Sequence, residues 1–512
     1  MALDSEDGQT GQLNVWQRGG LFAGPVLALA VLFFADLVPG KPIPTRAAAV
    51  AVLMAIWWIT DALPLAVTAL LPMVLFPVLG ILSGKDTAAE YFNDTIFLFM
   101  GGFLVAMAME RWDLHKRLAL RILVTCGPRP QMILFSFLSA TCLISMWISN
   151  TAAAMMMMPI ALAILLHLES VAGKEAMKKF GAGVMLAVGY GASIGGLATL
   201  VGTPPNLVFK RIYDQQFPDN PISFAQWFAF GLPFMILFML IAWGWLAFLF
   251  PADARAFKSA GRVIDEEFAK LGPWRREEKI LLVLFVALAM LWLFREPISV
   301  GSLVVPGWST IRLSETQTLF PNPKFISDGV VAVAIALLLF IIPGKPSADA
   351  SATRILEGGA VLTLPWNIVL LFGGGFALAK GIETSGLSDW LATQFAGMKG
   401  MSPFVIVLLS ALIIAFLTEL TSNTATATIL MPILAANAKA LDLAPWMLMV
   451  PGVVACSYGF MLPVGTPPNA IVYGTGRVRM ADMFKAGLFL DVVGAVLVSI
   501  AIFVIGPWAF GK

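Results

Sequence analysis

Apolar runs long enough to cross a bilayer recur along most of this chain, and short polar motifs interrupt them at matching places. The runs Leu21–Phe34, Phe234–Phe250 and Ala486–Val504 approach the roughly 20 residues that a membrane-spanning helix needs. Read in order, the pattern predicts spans at about 21–39, 46–60, 65–83 and 92–112. A basic amphipathic stretch follows, Asp113 to Arg129, carrying His115, Lys116, Arg117 and Arg121. It suits a helix lying in the interface plane. The segment 131–168 is apolar on both sides of Ser149-Asn150-Thr151, and a span at about 180–201 runs into Gly202-Thr203-Pro204-Pro205-Asn206 before continuing to about 215. A span at about 225–250 closes this half.

The second half repeats the layout. Spans at about 279–296, 328–343 and 361–383 precede a short polar helix near Ser388–Met398. Then come 403–440 around Ser422-Asn423-Thr424, 446–474 around Gly465-Thr466-Pro467-Pro468-Asn469, and a last span at about 485–507. The first motif returns after 273 residues (422 − 149), and at that offset residues 145–160 match 418–433 at eight positions of sixteen. The same offset pairs Gly101-Gly102-Phe103 with Gly374-Gly375-Phe376, and Glu110 with Glu383. The second motif returns after 263 residues (465 − 202). Paired interruptions in a duplicated apolar chain point to a transporter's binding site.

Basic residues set the orientation. If each Ser-Asn-Thr segment enters and leaves on one side, four basic regions share a face. They are the stretch 113–130, the loop with Lys174, Lys178 and Lys179, the linker 251–279, and Arg477, Arg479 and Lys485. That face is cytoplasmic, and the two Ser-Asn-Thr segments then enter from opposite faces. The polar tips favour re-entrant hairpins, because irregular backbone at membrane depth must be buried or line a cavity. The polar first twenty residues read as a cytoplasmic tail. The linker 251–279 reads as a charged cytoplasmic connection between repeats that tolerates lengthening.

Composition agrees. The chain is 59% hydrophobic and 12% charged, against about 25% charged in soluble proteins. The expected class is an all-α polytopic membrane protein in the lipid bilayer. A net charge of +2 gives no reason to expect nucleic acid as a partner. Cys126, Cys142 and Cys456 have no metal-ligand spacing and read as small core residues. No Ser/His pair or metal cluster lies in the apolar runs, so an enzyme is not expected.

The motifs carry definite chemistry. Ser, Asn and Thr are good helix N-caps. A helix restarting after the motif points free N–H groups and its positive dipole end at the tip. The arm that ends there leaves free carbonyls, so one tip can hold a carboxylate and a cation. Gly202 and Gly465 allow unusual backbone angles, Pro205 and Pro468 suit the restarting turn, and the Thr203 and Thr466 hydroxyls are free to face a cavity. No Lys or Arg sits in any of the four motifs, which favours neutralisation by co-bound cations. Glu419, whose counterpart is Met146, breaks the symmetry and reads as a hydrogen-bonded structural group, with tuning of a cation site as the alternative. No central carboxylate pair is expected. Trp57, Trp58 and Trp292 fit interfacial belts or packing.

On these motifs the chain resembles the divalent-anion:sodium symporter (DASS) family, the INDY-type sodium-coupled di- and tricarboxylate transporters, over nearly its whole length after residue 20. The resemblance implies inverted repeats with about eleven transmembrane helices and two opposed re-entrant hairpins. It implies a homodimer in the inner membrane, in which interleaved scaffold and transport domains work as an elevator. Repeat 1 lies within 21–250, with hairpin 131–168 and broken helix 180–215. Repeat 2 lies within 280–512, with hairpin 403–440 and broken helix 446–474. By motif, Ser145, Ser149, Asn150 and Gly202 correspond to a first sodium site. Thr418, Ser422, Asn423 and Gly465 correspond to a second. Asn150, Thr151, Thr203, Pro204, Asn423, Thr424, Thr466 and Pro467 correspond to substrate contacts. Family exchangers that work without sodium commonly carry an arginine two residues after Ser-Asn-Thr, where this chain has Ala153 and Thr426. The expectation is sodium-coupled import of succinate, malate or fumarate, with citrate, sulfate, another divalent anion, or dicarboxylate exchange as alternatives.

Overall fold

The computed structural model describes residues 13–511 apart from 128, 253–256, 258–259, 301–302, 315–316, 346–353, 396 and 398–399. Helices build nearly all of it. The described exceptions are an antiparallel ribbon, Ile298–Val300 against Leu303–Val305, and one bridge between Arg312 and Thr318. Among the described residues, six helices are long and apolar enough to cross a membrane: Val15–Phe34, Pro42–Thr60, Gly84–Arg111, Asn150–Ala172, Phe224–Leu249 and Met480–Val504. The other expected spans fall short for visible reasons. Lys174–Gly196 and Arg276–Leu293 open on charged turns, Asp328–Ile341 has only 14 residues, and the segment after Leu65 splits into Leu65–Thr68 and Leu71–Val78. Trp366–Thr384 is followed by a helix bent by 76° from it, the short polar helix expected near residue 388.

Both hairpins form as paired helices meeting at the Ser-Asn-Thr tip. The first joins Pro130–Ser145 to Asn150–Ala172, and the second joins Pro403–Thr418 to Asn423–Ala440. Each entry arm has 16 residues, so it reaches about 24 Å, less than the hydrocarbon thickness. Ser149 (φ −60°, ψ 144°) and Ser422 (φ −64°, ψ 128°) take extended backbone, which stops one helix and starts the next.

The second motif breaks a helix in each half. Lys174–Gly196 stops and Pro204–Gln216 restarts, while Pro445–Ala455 stops and Pro467–Gly474 restarts. Thr203 (φ −144°, ψ 141°) and Thr466 (φ −153°, ψ 146°) are near copies at the restarting caps. Each prolyl pair then begins a helix at positions where no N–H would be bonded. Glycine is required by close approach at the first break. A Cβ on Gly202 would lie 2.6 Å from the Gly196 carbonyl oxygen, and one on Gly196 would lie 2.6 Å from Asn150 Oδ1.

The halves interlock crosswise. Pro204–Gln216 packs on the second hairpin's Asn423–Ala440, and Pro467–Gly474 packs on the first hairpin's Asn150–Ala172. One large buried cluster runs through hairpins, broken helices and Phe224–Leu249. A smaller cluster with Met54, Trp58, Phe76 and Leu378 joins the early helices to Trp366–Thr384.

The linker is more than a connection. Its helix Ala260–Lys270 packs on Leu114–Cys126 and on Asn150–Ala172. Buried Arg117 reaches the carbonyls of Leu271 (3.0 Å) and Gly272 (2.9 Å), pairs with Glu278 (3.0 Å) and lies over the Trp274 ring. The amphipathic stretch is thereby fixed to the linker's end by a desolvated ion pair.

Candidate ion and substrate site

Each hairpin tip meets the break of its own half in a cluster of oxygens. In the first half, one end of the Asn150 amide lies 2.8 Å from Ser145 Oγ, 3.1 Å from the Ala192 carbonyl oxygen and 3.2 Å from that of Gly202. In the second, the Asn423 amide end lies 2.7 Å from Thr418 Oγ1, 3.2 Å from the Cys456 carbonyl oxygen and 3.2 Å from that of Gly465. Ser145 Oγ also donates to Ala192 (2.6 Å) and Thr418 Oγ1 to Cys456 (2.9 Å). With nitrogen at the shared end, each asparagine shares its two N–H hydrogens among these three neighbours. With oxygen there, four oxygens converge around a single hydroxyl hydrogen, an arrangement that a bound cation would satisfy. Hard oxygens of this kind suit a small hard cation.

The structure therefore brings Ser145, Asn150 and Gly202 together, and Thr418, Asn423 and Gly465. At the first tip the Ser149 hydroxyl accepts the Ala152 N–H at 3.2 Å as a helix cap. Ser422 makes no such cap bond. Thr203 and Thr466 are buried at restarting helix caps, yet neither side chain caps its helix. Asn150, Thr151 and Thr424 lie in the first turns of the returning hairpin arms, and Pro204 and Pro467 open the restarting helices. None of these four first turns contains an acidic residue, so four positive helix ends face the tips without an internal counter-charge. Beside the first tip, a cavity of about 30 Å³ is lined by Trp147, Ser149, Gly202 and Pro204 and closed by Phe99 and Phe103. It has room for a water and is too small for a four-carbon diacid in this conformation.

Sequence reading missed the residue that makes each break rigid. Asn206 Nδ2 donates to Gly196 (3.0 Å) and Thr199 (2.8 Å), and Asn469 Nδ2 donates to Gly459 (2.8 Å) and Leu462 (3.1 Å). The last residue of each Gly-Thr-Pro-Pro-Asn thus caps carbonyls that the broken helix leaves open. The doubled asparagine was the available signal. It also missed a carboxyl pair, contrary to expectation: Glu419 at the second tip lies against Asp491 of Met480–Val504. Asp491 went unnoticed because it stands alone in an apolar run.

Two helical hairpins, two broken helices and duplicated polar tips inside a multi-pass helical body define a secondary membrane transporter. The sodium:sulfate symporter transmembrane-region model matches residues 22–510, and the chain belongs to that family, the divalent-anion:sodium symporters. It is a transporter and not an enzyme. A relative, the sodium-dependent dicarboxylate transporter SdcS of Staphylococcus saprophyticus, is 40% identical over 505 residues, covering 97% of this chain and 93% of the relative. Among solved structures, the fold resembles MtrF of Neisseria gonorrhoeae (TM-score 0.57, 16% identity, 94% of this chain and 98% of that one). It also resembles the YdaH transporter of Alcanivorax borkumensis (TM-score 0.52, 16% identity, 86% and 90%).

Proposed function

We propose that this chain is a sodium-coupled symporter importing a C4-dicarboxylate such as succinate, malate or fumarate across the inner membrane. The observation that carries the reading is the doubled oxygen cluster, one at each tip, next to helix N-termini and with no basic side chain in the motifs. Ser145, Asn150 and Gly202 hold one sodium ion with the Ala192 carbonyl. Thr418, Asn423 and Gly465 hold another with the Cys456 carbonyl. Asn150, Thr151, Thr203, Pro204, Asn423, Thr424, Thr466 and Pro467 face the two ends of the diacid. Ser149 completes the first sodium site at its tip and Ser422 the second.

Charge supports the coupling. A dianion at membrane depth is costly without counter-charge, and two bound cations supply it before helix dipoles and hydroxyls finish the task. The position two residues after the second Ser-Asn-Thr supports symport over exchange. Thr426 there is buried in a hydrogen bond with Thr421 (2.6 Å), and Ala153 is buried at the equivalent position, so neither offers a substitute cation. The relative's name favours dicarboxylate, while the family's name includes sulfate. Two separate tips fit an anion with two separate charged ends better than a compact one.

The same proposal covers the wider cycle. The hairpins and broken helices move as one packed transport unit against the remaining helices, in a homodimer whose N-terminus is cytoplasmic. Uptake of labelled succinate into proteoliposomes tests the reading. It should saturate, require sodium, and be blocked by excess malate or fumarate. Equal uptake with choline in place of sodium, or stronger competition by sulfate than by malate, would reject it.

A further inference from the structure

The first restarted helix ends in a charged seam. Lys174–Gly196 begins on the basic face, so Pro204–Gln216 carries Arg211 toward the opposite face of the membrane. Arg211 Nη2 donates to Glu90 Oε2 at 2.7 Å, and Nη1 lies 3.9 Å from Asp94 Oδ1. The Arg211 and Glu90 side chains are 22% and 11% exposed, so salt screens the bond only weakly. Glu90 and Asp94 lie in Gly84–Arg111, outside the hairpins and broken helices. The other long-range ion pairs among the described residues stay on one side of that boundary. Arg111–Glu357, Arg117–Glu278 and Arg295–Asp328 join the remaining helices and their loops. Arg477–Glu169 joins the segment after the second break to the first hairpin. Beside Arg211 a polar cavity of about 180 Å³ opens at the boundary, with Lys210 and Asp214 on one wall and Asp94, Arg295, Lys324 and Asp328 on the other. It has room for several waters, which can take over the charges when the parts separate.

The second repeat has no such pair. At the repeat offsets, Glu90 corresponds to Thr363 (90 + 273), Asp94 to Asn367 (94 + 273) and Arg211 to Gly474 (211 + 263), and none of these is charged. The two tips are unequal in the same sense. Trp147 at the first tip packs edge-on against Phe285 of Arg276–Leu293, with ring centroids 4.9 Å apart. Phe99 and Phe103 close the same tip. Leu420, the counterpart of Trp147 (420 − 273), is 70% exposed. Val464, the counterpart of part-buried Val201 (464 − 263), is 78% exposed. This conformation docks the first tip on the remaining helices and leaves the second undocked.

We propose that Arg211 is the latch residue of the transport unit: its bond to Glu90 holds the conformation with the first tip docked and breaks in each transport cycle. The latch is one-sided. Inverted repeats set Gly474 against Thr363 at the opposite face in the opposite state, and those side chains cannot form an ion pair. The state with the first tip docked is therefore weighted over its mirror state by one ion pair. A single close N–H, at Nη2, makes the bond, and Arg211 Nε is buried without an acceptor. One hydrogen bond with water beside it opens more readily than a bidentate pair in a dry interior. Lys210 does not substitute, since its amine is held by Asp214 one turn along the same helix. The inference rests on the proposal that the hairpins and broken helices move against the remaining helices.

The test is cross-linking in proteoliposomes, in a protein whose Cys126, Cys142 and Cys456 are replaced by Ser or Ala. Glu90→Cys/Arg211→Cys, joined by a short bis-methanethiosulfonate, should lose succinate uptake and regain it on reduction with dithiothreitol. The weighting is read from a second pair, Trp147→Cys/Phe285→Cys, whose cross-linking rate follows the population with the first tip docked. Adding Arg211→Gln should lower that rate by about fivefold, while Arg211→Lys, which keeps a charged donor, should leave it within about twofold. If Arg211→Gln does not fold, Glu90→Gln removes the partner charge and should lower the rate by about threefold, because Asp94 keeps part of the attraction. An unchanged rate in Arg211→Gln, or in Glu90→Gln where that variant is used, would overturn the latch. Undiminished uptake by the cross-linked Glu90→Cys/Arg211→Cys protein would instead overturn the moving-unit reading on which it rests.

Discussion

An asparagine amide can present either end to the same three oxygens, and Asn150 and Asn423 are placed to use both. With nitrogen inward, the amide donates to a hydroxyl and two carbonyls and keeps the tip closed without an ion. With oxygen inward, it becomes a fourth ligand for sodium. Asn150→Ala or Asn423→Ala should lower sodium-driven uptake by about 10- to 100-fold, the range for losing a group that holds or orients a metal ligand. Asn150→Asp separates the two uses, because aspartate keeps the ligand oxygen and loses the donor. It should need less sodium for half-saturation yet turn over more slowly, and initial rates across sodium concentrations check this. Asn206→Leu or Asn469→Leu tests the brace instead. Asn206→Leu leaves two buried carbonyls without a partner, and Asn469→Leu leaves that of Gly459 without one while Leu462 keeps the Gly465 N–H, at about 1–3 kcal/mol for each stranded carbonyl. Thermal melting should fall without a shift in sodium half-saturation. The tip residues were legible because they are polar, doubled and in order. The Ala192 and Cys456 carbonyls were not, since any residue can supply a carbonyl and only the close approach of two segments selects these.

Polar Ser-Asn-Thr tips inside apolar segments gave the hairpins their sequence signature, and the structure adds what holds neighbouring elements in place. The 251–279 linker looked like a tether because it is charged. Its charges are partly spent inward: the side chains of Arg117 and Glu278 are 4% and 2% exposed, and Arg117 also binds the turn at Leu271 and Gly272. A long-range pair separated by 161 residues leaves no periodic trace in the sequence. Arg117→Ala strands Glu278 and should destabilise the protein by about 3–5 kcal/mol. Replacing both partners with Met and Leu should recover most of that loss in a detergent melting assay. The same helix holds buried His115, whose Nδ1 lies 2.7 Å from the Met109 carbonyl. Burial keeps this imidazole below its ordinary value of 6.5. The unfolded chain takes up the proton first as pH falls, so His115 favours the fold above about pH 6.5 and stops doing so on acidification. His115→Gln should flatten the fall in melting temperature between pH 7.5 and 5.5.

Crosswise packing joins the two halves of the molecule. Each restarted helix, Pro204–Gln216 and Pro467–Gly474, rests on the other half's hairpin. Arg477 binds Glu169 through both guanidinium nitrogens, tying the segment after the second break to the end of the first hairpin. That contact lies by the basic face with Lys174, Lys178 and Lys179, where the orientation rule places the cytoplasm. If the halves are inverted, the loop closing the second hairpin must reach the opposite face. Lys178 and Asp442 are both exposed and suit the test, one at each proposed face. In a background with Cys126, Cys142 and Cys456 replaced by Ser or Ala, Asp442→Cys should react with an impermeant maleimide in intact cells. Lys178→Cys should react only in inverted vesicles. Labelling of both from one side would refute the inversion. With it would go the claim that one diacid is gripped between tips entering from opposite faces.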